Sequence, residues 1–107
     1  MDELGGMLRG HIETVRQICA RIEKGENYLD ELKEYLPALN QMVLKIFEWI
    51  EEPEIQLDVN QNFILQVLND IVYGIEQEDS VFLLDVLRYG LLELYDYIGA
   101  ELQGEEC

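Results

Sequence analysis

Apolar residues recur along this chain at intervals of three and four, the spacing that gathers them on one face of an α-helix. They do so in four separate runs. The first spans Leu4 to Lys24, with Leu8, Ile12, Val15, Ile18, Cys19 and Ile22 on one face. Lys24 followed by Gly25 reads as its end, a cation in the last turn and then the residue that most readily turns left-handed. Gly5, Gly6 and Gly10 weaken its start, where the first turn is expected to fray.

The second run has the most regular seam: Leu29, Leu32, Leu36, Leu39, Val43, Ile46 and Ile50. Such a heptad-like spacing suits helices packed at shallow angles. Asn27 is placed to cap this helix, with Asp30 in its first turn facing the positive end of the dipole. Pro37 removes one backbone donor and is expected to kink the helix. Pro53 closes the segment, and Glu52 to Leu57 forms the one linker.

Asp58 or Asn60 starts the third helix, Asp58 and Gln61 standing at a capping-box-like spacing. Its apolar face holds Phe63, Ile64, Val67, Leu68, Ile71 and Ile75. A turn at Glu78–Asp79, with Asp79 or Ser80 as the next cap, leads into a fourth run of Leu83, Leu84, Leu87, Leu91, Leu94, Ile98 and Leu102. Nowhere do apolar residues alternate with period two over a useful length, which argues against strands. Short connections set neighbouring helices antiparallel. The predicted fold is therefore all-α, an up-down-up-down antiparallel four-helix bundle forming one domain over residues 1–107. Gly74, Gly90 and Gly99 fall inside helices, where each costs ~1 kcal/mol relative to Ala. Close approach of a neighbouring helix accounts for Gly74 and Gly90, and loose final turns for Gly99.

Composition agrees with a packed core: 49% of the residues are hydrophobic, with only 2 prolines. The net charge of -16 disfavours direct contact with nucleic-acid backbones or anionic lipid. Cys19 reads as a small buried hydrophobe and Cys107 as a free terminal thiol; a bridge between them is the less favoured alternative. No basic segment precedes an apolar run at the N-terminus, and no stretch is long and apolar enough to span a bilayer. The expected location is cytoplasmic.

Four chemistries fail at named positions. A di-iron bundle needs Glu-x-x-His pairs on two helices, but His11 is the one histidine and Leu8 stands three residues before it. His11 reads instead as a boundary residue at the edge of the first apolar stripe. Asp58, Asn60 and Asn62 have the opening spacing of a calcium loop. Phe63 and Asn69, however, occupy the positions that need Gly and a bidentate Glu, so the run reads as helix-starting Asx chemistry. Ser80 and Thr14 lie in no strained, glycine-flanked turn. No glycine-rich phosphate loop occurs. No catalytic, cofactor or metal-binding residue is predicted.

Charge and aromatic residues point to the surface. Residues 1–45 hold 8 acidic and 6 basic side chains, whereas residues 46–107 hold 15 acidic against Arg88 alone. That imbalance serves solubility or a basic partner. Tyr89, Tyr95 and Tyr97 crowd the fourth helix, and because positions 95 and 97 cannot share a face, at least one lies outside the core. Tyr35, Met42, Phe47 and Trp49 widen the apolar face of the second helix, as a central position or a dimer interface would require. These seven residues are the candidate partner contacts.

The run Phe82-Leu83-Leu84-Asp85-Val86-Leu87-Arg88-Tyr89 after Glu78-Asp79 resembles the C-terminal segment of small acidic helical proteins of unknown function from Firmicutes. The resemblance is sharpest over residues 78–95. It implies a bacterial helical bundle and carries no activity. The sequence thus leads to a non-enzymatic interaction protein, a chaperone or adaptor for a secreted or flagellar protein. Its alternatives are a structural homodimer and an acidic nucleic-acid mimic that occupies a basic protein.

Overall fold

A computed structural model describes the backbone of residues 2–52 and 59–106 and the side chains of residues 5–52 and 59–101. Pro53, the linker up to Leu57, Asp58 and Cys107 lie outside the described residues, as do the side chains of Leu4 and Leu102. Four helices account for the described chain, and no strand occurs among those residues. They are α1 (Asp2–Lys24), α2 (Leu29–Glu51), α3 (Gln61–Gln77) and α4, which runs through Ser80–Asp85, Val86–Leu92 and Glu93–Glu106.

The helix ends follow local chemistry. After α1, Glu26 N–H bonds to Arg21 O at 2.9 Å and Gly25 N–H to Ile22 O at 3.1 Å, a Schellman turn with Gly25 at φ 72°. The same pair of bonds closes α3, from Asp79 to Gly74 and from Glu78 to Ile75, but here Glu78 takes the left-handed conformation at φ 49°. Asn60 caps α3 by accepting from Asn62 N at 2.8 Å, and Asp79 caps α4 by accepting from Phe82 N at 3.1 Å. Asn27 does not cap α2. Tyr28 holds the cap position without a side-chain bond, and Asn27 instead donates to Asp30 at 3.2 Å. α2 runs unbroken through Pro37. That residue is exposed, so water can take the carbonyl that its missing N–H leaves without a donor.

Residue pairings set the arrangement. His11 meets Tyr35, and Arg21 meets Glu31, so α2 runs back along α1. Gly74 faces Leu83 and Gly90 faces Val67, so α4 returns along α3. Arg88 pairs with Glu23, and Gly99 faces Leu8, so α4 is also antiparallel to α1. These contacts are compatible with the up-down-up-down order. The core comprises Leu8, Val15, Ile18 and Cys19 from α1, with Leu32, Leu39, Met42 and Ile46 among those from α2. Ile64, Val67 and Ile71 of α3 join Leu83, Leu87, Leu91, Tyr95 and Ile98 of α4.

Three further details depart from expectation. On α2 the buried centre is displaced toward Tyr35, Met42 and Trp49, while Leu29, Leu36 and Ile50 sit half-buried at the margin. Packing on both α1 and α3 makes the wider face the inner one. Gly99 is explained by proximity: an added Cβ would lie 3.3 Å from Leu8 Cδ2. Val86–Leu92 is π-helical. The core residues Leu83, Leu87, Leu91 and Tyr95 are spaced by four, which in an α-helix drifts by about 40° each step. The wider π turn takes up that drift and keeps all four facing inward.

Candidate functional site

The seven sequence-predicted contacts separate into two groups. Tyr35, Met42, Trp49 and Tyr95 are buried by the chain's own helices, and Phe47 is half-buried. Tyr89 is 64% exposed and Tyr97 38%. The α2 face that the sequence offers to a second copy is thus largely covered from within.

Tyr89 and Tyr97 belong to a groove between α3 and α4. Two clefts, of about 320 and 450 Å³, meet at Phe63. Gln66, Val67 and Asp70 of α3 face Asp85, Val86, Tyr89 and Gly90 of α4 across the first. Val59 and Asn60 face Glu93, Leu94 and Tyr97 across the second. One turn beyond Asp70 and Asp85, Tyr73 and Phe82 meet edge to face with centroids 5.7 Å apart. On the α4 wall, Asp85, Tyr89, Glu93 and Tyr97 follow one another at intervals of four, so acid and aromatic alternate along the rim.

Helix spacing also explains why Phe63 lies here rather than in the core. Ile64, Val67 and Ile71 occupy the buried centre of α3, which leaves Phe63 at the edge and 43% exposed. Gly90 presses on α3, an added Cβ standing 3.2 Å from Val67 Cγ2, and so keeps the groove floor low. Arg88, the only cation after residue 46, points away and pairs with Glu23 of α1. Among the described residues, the charged side chains lining the groove are therefore all acidic: Asp70, Asp85 and Glu93.

A second polar feature threads the interior. His11 Nδ1 lies 2.7 Å from Tyr35 Oη, which lies 2.8 Å from Tyr95 Oη. Tyr95 is fully buried, and among the described residues no buried side-chain polar atom lacks a partner. A chain in which Tyr95 donates to Tyr35, and Tyr35 to the neutral ring of His11, uses both hydroxyl hydrogens. The reverse direction would leave the Tyr95 hydrogen pointing into the core with no acceptor. Burial holds His11 below the usual histidine range. It raises Tyr35 to about 12 despite the bond from Tyr95, and Tyr95 further still, with Tyr35 reinforcing the rise. His11 opens onto a cleft of about 400 Å³ beside Met7, Gln41, Lys45 and Glu48.

Neither feature was complete in the sequence. In the sequence Phe63 reads as core, Asp85 enters only as part of the run 82–89, Asp70 and Glu93 carry no signal of their own, and His11 reads as a boundary residue without its tyrosines. The four-residue spacing of 85, 89, 93 and 97 was the available signal for the groove. Cys19 is a buried free thiol, as its position in the stripe predicts, and burial pushes its pKa up, with Arg88 opposing the rise. Among the described residues no three His, Cys, Asp or Glu side chains come close enough to share a metal ion. None of the described helices is long and apolar enough to cross a membrane. The chain matches no family model, no curated protein and no solved structure.

Proposed function

We propose that this chain is a non-enzymatic, cytoplasmic protein-interaction module that holds a basic segment of another protein in the α3/α4 groove. The observation that carries the reading is the combination in one place of exposed aromatic rings, an apolar floor and the acidic residues Asp70, Asp85 and Glu93. Aromatic side chains supply large contact areas at low conformational cost. The surrounding carboxylates attract a cationic partner and repel an anionic one, an effect strengthened by the excess of acid throughout the second half of the sequence. An adaptor or chaperone, which holds a segment without altering it covalently, is the role such a groove fits.

The test is titration of the intact protein with a Lys/Leu-rich peptide and with a Glu/Leu-rich peptide of equal hydrophobicity. Binding of the basic peptide alone is expected, weakening as salt rises. Asp70→Asn, Asp85→Asn and Glu93→Gln combined should weaken it at least tenfold. Unchanged affinity in that triple variant would remove the groove from the interaction.

A further inference from the structure

The walls of the groove constrain the backbone of what lies in it. Its floor is apolar, formed by Val67, Val86 and Leu94. An extended segment laid over that floor would direct peptide N–H and C=O groups against hydrocarbon, and desolvated peptide groups without partners are costly. Extended peptides avoid this by adding to a sheet edge, and the described residues contain no strand to offer one. A helix satisfies its own peptide groups and presents only side chains to the groove.

We infer that the bound segment is an amphipathic helix of about four turns, apolar where it enters the groove and bearing Lys or Arg along both margins. This rests on the reading of the groove as the site for a basic partner. From Phe82 to Tyr97 the α4 wall extends for about 22 Å at the helical rise, which four turns of a docked helix would match. Acid and aromatic alternate along that wall, so a helix with apolar residues at intervals of three and four sets cations opposite Asp85 and Glu93. Its other margin faces Asp70. A second copy of this chain is a poor occupant. Its net charge of -16 opposes the approach of two such surfaces.

Two synthetic peptides of identical Leu/Lys composition distinguish the possibilities. One places leucine at helical intervals and the other alternates leucine with lysine, the pattern of a strand. With the intact protein, the helical pattern should bind at least tenfold more tightly by fluorescence anisotropy and gain helicity by circular dichroism. Amide shifts should cluster at Phe63, Val67, Asp85, Tyr89 and Glu93. Tyr89→Ala, at a largely exposed position, should weaken binding about tenfold without altering the fold. Equal or tighter binding of the alternating peptide in the same groove overturns the helix and leaves the groove assignment standing. Shifts confined to another surface, or no binding of either peptide at low salt, overturn both.

Discussion

The hydroxyl of Tyr35 lies 2.8 Å from that of Tyr95, although 60 residues separate them in the chain. Because Tyr35 also meets His11 at 2.7 Å, one hydrogen-bonded chain joins α1, α2 and α4 through the core. Removing its middle differs from removing its end. Tyr35→Phe leaves the Tyr95 hydroxyl buried without an acceptor and should cost ~1–3 kcal/mol. Tyr95→Phe leaves the Tyr35–His11 bond in place and should cost about 1 kcal/mol. The double variant should lose less than the two single effects together. Urea denaturation of the four proteins measures the coupling, and strict additivity would show that the hydroxyls act independently.

The same chain makes stability depend on pH. The folded pKa of His11 lies below its unfolded value near 6.5, since burial disfavours the charged ring. The stability from the neutral ring is fully present above pH 6.5 and is lost as pH falls from there toward the lowered folded pKa. Protonation also puts a hydrogen on Nδ1, which reverses the chain and strands the Tyr95 hydroxyl. Lys45 and Glu48 line the adjoining cleft, and Tyr35 and Tyr95 face the ring from α2 and α4. His11→Gln keeps polarity without titrating there. The stability advantage of the native protein over this variant should shrink between pH 7.5 and 5.5. The two proteins differ only at residue 11, so an advantage that does not change with pH would exclude a contribution from His11.

Glycines in helices divide by what surrounds them. An alanine Cβ at Gly74 would lie 2.7 Å from Leu83 Cγ, inside the core, whereas nothing stands within 4 Å of one at Gly10. Gly74→Ala should therefore lose roughly 1–2 kcal/mol despite the gain in helix propensity, and Gly10→Ala should gain ~0.5–1 kcal/mol. Thermal melts compare the two directly. A stabilising Gly74→Ala would mean that α3 and α4 can separate at little cost.

The two Schellman turns predict opposite responses. Gly25 takes its positive φ without steric penalty, while Glu78 adopts the same region with a side chain, near Asp79 and Tyr28. Glu78→Gly should raise stability by up to ~1 kcal/mol, and Gly25→Ala should lower it by about as much. Chemical denaturation reads both. A loss from Glu78→Gly would assign the Glu78 side chain a stabilising contact that outweighs its backbone strain.

By itself the sequence determined the four helices, the Gly25 boundary and most of the core, because these depend on spacing and on chemistry within a few residues. It narrowed the starts of α3 and α4 to Asp58 or Asn60 and to Asp79 or Ser80, of which the structure takes Asn60 and Asp79. It also separated Tyr95 from Tyr97, whose positions cannot face the same way. Tertiary packing alone decided how far each face turned inward. It carried Tyr35, Met42 and Trp49 into the interior, left Phe63 on the rim, fitted Gly99 against Leu8 and demanded a π turn to keep Leu87, Leu91 and Tyr95 in register. The acidic groove and the His11–Tyr35–Tyr95 chain belong to that second class. Each joins residues from different helices, and helical periodicity orders the faces of one helix without fixing which face of another it meets.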